Sequence, residues 1–178
     1  MHARMLFLRG QTRSMEPTIR RFTTADQDHV RALVLTGLAQ HWDAPIDPTL
    51  NPDLDDIAAS YAHGTTLVAV MPDGAVVGTG TIVPRGTATA QIVRMSVATE
   101  HRGHGIGQRL VYALIDIAGD GWGRPAIQTI VLETTATWTA TIRFYQRCGF
   151  AITHHTDGEF GRDTWFARDV RPELGGFR

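Results

Sequence analysis

Residues 91–118 constrain the fold most. Gln91-Ile-Val-Arg-Met-Ser-Val97 is a β-rich run, Arg102-Gly-His-Gly-Ile-Gly107 crowds three glycines together, and Leu110, Val111, Leu114, Ile115 and Ala118 then recur at helical spacing. The order is strand, glycine loop, helix. Such a loop presents backbone N–H groups to an anion, because glycine can take positive φ and has no Cβ to hold a phosphate away. The helix behind it adds its unpaired first-turn N–H groups and the positive end of its dipole. A diphosphate suits that geometry. Gly103, Gly105 and Gly107 fall at every second residue, so the dinucleotide fingerprint G-x-G-x-x-G is not met, and no Gly-Lys-Ser/Thr follows as a P-loop requires.

Upstream, Thr18-Ile-Arg-Arg-Phe22 reads as a short strand. Thr23 to Asp26 supplies caps for a helix to about Ala39, with Val30, Leu33, Val34 and Leu38 on one face. Residues 41–51 carry two prolines and little periodicity and are expected to be a loop; Asn51-Pro-Asp53 then opens a helix to Tyr61. The runs 65–71 and 75–83 flank Pro72-Asp-Gly74 as a hairpin, and a third antiparallel strand follows over 87–97. Beyond the helix, the breaker-rich 119–125 leads to a strand over 127–135, which a right-handed crossover would make parallel to the strand at 91–97. A helix over 138–148, ended at Gly149, and strands at 150–156 and 163–169 complete the order.

At 178 residues the chain reads as one domain over 16–172, with 1–15 a flexible N-terminal extension and 173–178 a C-terminal tail. A formal net charge of −1 gives no electrostatic case for nucleic acid or an anionic membrane as partner. The four apolar residues from Met5 to Leu8, bounded by arginines, are too short for a signal peptide or a membrane span. The single cysteine, Cys148, excludes an internal disulfide and suits a reducing cytoplasm; its helical setting reads as a buried structural thiol. No metal is expected, because no His-x-x-x-His or comparable ligand spacing occurs and Asp53, Asp55 and Asp56 lack the EF-hand pattern. These acidic residues read as complements to a helix dipole.

The glycine loop with its strand and helix resembles motif A of the GCN5-related N-acetyltransferases, whose pyrophosphate loop Gln/Arg-x-x-Gly-x-Gly/Ala is matched by Arg102, Gly105 and Gly107. Residues 138–150 resemble motif B, written Asn-x-x-Ala-x-x-Phe-Tyr-x-x-x-Gly-Phe: Phe144-Tyr145 and Gly149-Phe150 match, while Trp138 replaces Asn and Thr141 replaces Ala. The element order β-α-α-β-β-β-α-β-α-β-β is also that of the family. The resemblance implies a single α/β domain with a mixed, mostly antiparallel sheet of about six to seven strands, flanking helices and a cleft where the fourth and fifth strands splay apart. It further implies an N-acetyltransferase that moves an acetyl group from acetyl-CoA to a primary amine, a small molecule or a peptide, by direct attack in a ternary complex. The exposed edges of such a sheet make a homodimer a further expectation.

Carried over residue by residue, the resemblance has the amides of Met95 and Val97 face the cofactor, with the Met95 N–H as oxyanion donor to the thioester carbonyl. The amides of Gly103, His104, Gly105, Ile106, Gly107 and Gln108 would hold the diphosphate, and Arg102 would add charge. Tyr145 matches the tyrosine that lies near the CoA sulfur and protonates the departing thiolate. The general base is open: where histone-type relatives carry a glutamate, four residues before Met95, stands Gln91, which cannot titrate. Glu133, at the end of the fifth strand, is the nearest alternative, acting directly or through water, or else anchoring substrate. His41 and Trp42, with Gln91 and Glu133, are candidate acceptor contacts, His41 and Trp42 being otherwise part of a solvated loop. His154 and His155 alternate on a strand, so at most one faces a shared site. A non-catalytic acyl-CoA-binding module of the same fold is the alternative that Gln91 raises.

Overall fold

Side-chain alternation decides how the sheet is covered. In β2 (Thr65–Val70) the residues Leu67 and Ala69 belong to one core and Val68 and Val70 to another, so helices must cover both faces. The computed structural model describes residues 16–120, 127–158 and 160–170. The expected extension 1–15, the tail 173–178 and residues 121–125 of the breaker-rich segment lie outside the described residues.

One seven-stranded sheet, in the order β1-β2-β3-β4-β5-β7-β6, is formed by β1 (Thr18–Arg21), β2, β3 (Val76–Pro84), β4 (Thr89–Val97), β5 (Thr129–Thr135), β6 (Ala151–Gly158) and β7 (Gly161–Asp169). The helices are α1 (Gln27–Trp42), α2 (Ile57–Ser60), α3 (Ile106–Gly119) and α4 (Thr139–Arg147). Among the described strand pairs only β4–β5 is parallel, as the crossover through α3 requires. On one face Val30 and Val34 of α1 pack with Leu54, Ile57 and Val68. On the other, Leu110, Val111, Leu114, Ile115 and Ala118 of α3 are buried against the sheet together with Tyr145, Cys148 and Phe166. Full burial of such an aliphatic side chain is worth about 1.5–3 kcal/mol, so this stripe fixes where α3 lies.

Two irregularities shape the centre of the sheet. Between the pairs Thr79↔Ser96 and Thr81↔Val93, β3 has only Gly80 where β4 has both Arg94 and Met95. This is a β-bulge, and Arg94 adopts a left-handed φ of 54° within it. A Cβ on Gly80 would stand 2.3 Å from Met95 Sδ, so the bare glycine makes room for the Met95 side chain. Secondly, β4 and β5 pair only from Thr89↔Thr129 to Gln91↔Val131. Beyond that point β5 follows β7 as far as Thr135↔Asp163, while β4 stays with β3 as far as Val97↔Gly78. The sheet opens into a V.

Three local expectations differ from the structure. Helix α1 runs through His41 and Trp42 and closes at Asp43, whose φ is 50° and whose N–H bonds the Ala39 carbonyl. No residue from 39 to 42 breaks a helix, and the prolines come too late to stop it. Residues 52–60 form a 3-10 turn, Pro52–Leu54, and then short α2 instead of one helix, because the Asp56 carboxylate accepts from Ala59 N–H and restarts the chain. Asp53 does fall in the first turn of Pro52–Leu54, but it also pairs with Arg94, and Asp55 lies past that turn and pairs with Arg31.

Candidate active site

The V between β4 and β5 widens into a cleft of about 840 Å³, within the range of small-molecule sites. Its floor is the open edge of β4. The Ala98 N–H donates to the Val77 carbonyl, toward β3, at 2.9 Å. By the two-residue strand period the backbone of Val97 faces the opposite edge, where no strand pairs with it. Arg102 agrees with that direction, since its Nε donates to the Val97 carbonyl at 2.9 Å. Met95, two residues earlier in the bulge, also lines the cleft.

The glycine loop closes one end. Gly103 and Gly105 are left-handed, with φ of 80° and 78°, and Gly105 is the N-cap of α3. The first-turn amides of Ile106, Gly107 and Gln108 therefore start the helix at the cleft wall, and all three residues line it. Gly107 serves differently from its neighbours. Its φ is not positive; a Cβ there would approach Phe144 Cζ to 3.3 Å, so its bareness lets α4 close on α3. His104 is exposed and outside the cleft lining.

Tyr145 projects from α4 into the core among Phe144, Phe150 and Phe166, with ring centroids 5.1, 6.1 and 5.8 Å away. Its side chain is only 6% exposed and lines the cleft, and its hydroxyl has no hydrogen-bond partner among the described residues. Burial, with Cys148 nearby, pushes its phenol above the ordinary tyrosine value, so it stays protonated and can donate. Cys148 is itself buried and its thiol is pushed up by burial, which makes it unreactive.

The model of the acetyltransferase (GNAT) family matches residues 35–150. The chain belongs to this family. Among curated proteins it is similar to the N-acetyltransferase family 8 member 2 of Rattus norvegicus, at 36% identity over 113 residues, covering 60% of this chain and 48% of that one. It is also similar to the N-acetyltransferase 8F1 of Mus musculus, at 32% identity over 126 residues, covering 66% and 55%. The chain thus spans about half the length of the curated relatives it matches. A GNAT-family acetyltransferase from Staphylococcus aureus shares the fold with a TM-score of 0.77 at 19% identity, over 87% of this chain and 99% of that one.

Within this GNAT domain the other expected residues are spread over the cleft and its surroundings. Glu133 lines the cleft on the β5 side, opposite Trp165 in β7. Partial desolvation and then the charge of Asp163 raise its pKa, against a smaller pull from Arg85. Gln91 is only 9% exposed, lies outside the lining and accepts a hydrogen bond from Arg85 Nη1. The ring of His41 stacks on Trp138 at 4.2 Å and 18°, and Trp42 meets the same indole edge-on at 5.5 Å, so α1 and α4 touch across the mouth of the V. Desolvation and then Arg102 lower the His41 pKa. Arg102 is committed to the Val97 carbonyl and to Gln40, at 3.0 Å, and so braces β4 against α1. His154 stacks on Trp165 while His155 bonds Thr164, on opposite faces of β6 as alternation requires.

Sequence reasoning missed Arg94 and Trp138. Arg94 was legible as a lone charge inside an apolar strand. Trp138 stood out as the departure from asparagine in the second motif, but the partner of its ring came from an element that pattern alone ended three residues early.

Proposed function

We propose that this chain transfers an acetyl group from acetyl-CoA to an amine by direct attack in a ternary complex. The observation that carries the proposal is the convergence, in one cleft, of the unpaired edge of β4, the α3 amides and the partnerless hydroxyl of buried Tyr145. An extended chain of amides and carbonyls such as pantetheine suits the open edge, and a diphosphate suits the helix start. A spermidine N-acetyltransferase from Vibrio cholerae, solved with CoA and spermine, has this fold at a TM-score of 0.66 and 14% identity, over 87% of this chain and 96% of that one.

In this reading the amides of Gly103, Gly105, Ile106, Gly107 and Gln108 hold the diphosphate, and the Met95 N–H donates a hydrogen bond to the thioester oxygen as charge develops on it. Glu133, directly or through water, takes a proton from the ammonium, since only the neutral amine attacks. The C–N bond forms, the C–S bond breaks, the Tyr145 hydroxyl gives its proton to the departing thiolate, and the proton shed by the new amide nitrogen returns through water to the Tyr145 phenolate. The non-catalytic module loses its motive, because Gln91 is engaged with Arg85 and a carboxylate is available at Glu133.

Thiol release from acetyl-CoA, measured over a panel of small amines and peptides, tests the reaction. Tyr145→Phe is expected to lower kcat by about 10²- to 10⁴-fold, with acetyl-CoA affinity nearly unchanged. Binding of acetyl-CoA without turnover of any amine would restore the module reading.

A further inference from the structure

The bulge in β4 is held by more than the sheet. Arg94 Nε donates to Asp53 Oδ2 at 2.7 Å, its Nη2 donates to Asp53 Oδ1, and its Nη1 donates to Asn51 Oδ1 at 2.8 Å. Tyr61 Oη donates to the same Asp53 Oδ2. The guanidinium fork is thus spread over segment 51–61, and the Asp53 carboxylate is fully engaged. That segment is anchored to the rest of the protein: Leu54 and Ile57 are 1% and 2% exposed and pack against α1.

From this arrangement we propose that Asp53 and Arg94 are positioning residues for acetyl transfer, clamping the β4 bulge so that the Met95 and Val97 amides face the thioester. The inference rests on the acetyl-transfer reading of the same cleft. Arg94 directly precedes Met95, and its left-handed backbone, at φ 54°, is strained for a residue with a Cβ. Such strain persists only where the surroundings over-determine it, and here the surroundings are the two-pronged contact to Asp53 and the third to Asn51. On the opposite face the Met95 side chain lies over Gly80, beside Leu114 of α3. The proposed oxyanion amide is gripped from both sides of the sheet. The α1-side grip comes from the segment between α1 and β2, so whatever moves residues 51–61 moves the amide.

Asp53→Asn removes the charge, and Arg94→Lys keeps the charge but loses the fork. Each is expected to lower kcat about ten- to a hundredfold, since small misplacements of catalytic groups carry penalties of that order. Acetyl-CoA Kd should stay within about twofold, and the double variant should fall no further than about threefold below the worse single one, because both act through one contact. The control is Arg31→Ala, which cuts the other ion pair of the same segment, Arg31 with Asp55, and should leave kcat within about twofold. A readout independent of turnover comes from the backbone amide resonances of Met95 and Val97, which should shift in both variants and hold still in Arg31→Ala. Should Asp53→Asn fail to fold, Arg94→Lys decides alone. Unmoved Met95 and Val97 resonances, unchanged kcat, or losses matched by Arg31→Ala would overturn the inference. A wild-type protein without turnover would instead sink the acetyl-transfer reading, and the resonances would still judge the clamp.

Discussion

Substituting Gly80 by alanine tests how closely the proposed catalytic edge of β4 depends on one missing methyl. Gly80 does not sit at a positive φ, so alanine is allowed by the backbone, and by the entropy of the unfolded chain alone the change would stabilise by about 0.4–1 kcal/mol. Sterics oppose this. The new Cβ would lie 2.3 Å from Met95 Sδ and 3.1 Å from Leu114 Cδ1. Apolar atoms pack at about 3.5–4.0 Å, so the Met95 sulfur must withdraw by more than about 1 Å. Leu114 is fully buried and gives no room on that side. Overpacking of this kind costs about 1–3 kcal/mol, which outweighs the entropic gain and leaves a net loss of about 1–2 kcal/mol. For a domain of this size that corresponds to a fall in Tm of about 2–8 °C. Activity should suffer more than stability, because part of the displacement passes to the Met95 backbone and a shift of about 1 Å at a catalytic group can cost about a hundredfold. We therefore expect kcat to drop at least about tenfold, measured by thiol release, with Tm from calorimetry as the companion measurement. Met95→Ala in the Gly80→Ala background keeps the amide and removes the clash, so it should recover most of the lost kcat. Unchanged Tm and kcat in Gly80→Ala, or a double variant as slow as the single, would refute the reasoning.

Two further expectations concern protons. A Glu133 carboxyl with a raised pKa must be deprotonated to accept the amine proton, so kcat/KM should fall toward low pH with a midpoint above the ordinary glutamate range. Asp163→Asn should move that midpoint down, since the Asp163 charge helps to raise it, and Glu133→Gln should abolish the limb; a limb that survives Glu133→Gln would exclude this base. Asp26 is held down to about 2, chiefly by hydrogen bonds from Arg20 at 2.7 and 2.8 Å, with Thr23 N–H and Oγ1 adding theirs. A depressed carboxyl contributes stability that is complete above its unfolded value of 3.8 and lost as pH falls through about 2. Asp26→Asn should thus cost about 2 kcal/mol in neutral urea melts, and the gap should close near pH 2.

The stretches easiest to read in the sequence were those whose neighbours in space are also neighbours along the chain. The stripe from Leu110 to Ala118, the hairpin around Asp73-Gly74 and the parallel crossover into β5 all emerge as expected, because each is written in local periodicity. The Tyr145 helix and the glycine loop were legible through their motifs, and they do line one cleft. What eluded sequence reasoning depends on long-range partners. Asp53 looks like any acid in a first turn until Arg94, 41 residues on, takes it. Gln91 looks like a displaced catalytic position until Arg85 is seen bonded to it, and three glycines of similar spacing serve two different purposes, backbone handedness at 103 and 105 and helix contact at 107.

The two ends of the sheet are unlike. At one margin β1 has four residues, while at the other β6 offers eight, exposed along their whole length. Among the described residues the longer row of unpaired backbone groups therefore lies on β6. Two copies meeting there through a two-fold axis would satisfy each other's backbone groups and leave only the stubs outward, so growth by strand addition would stop at a pair instead of running on into a fibre.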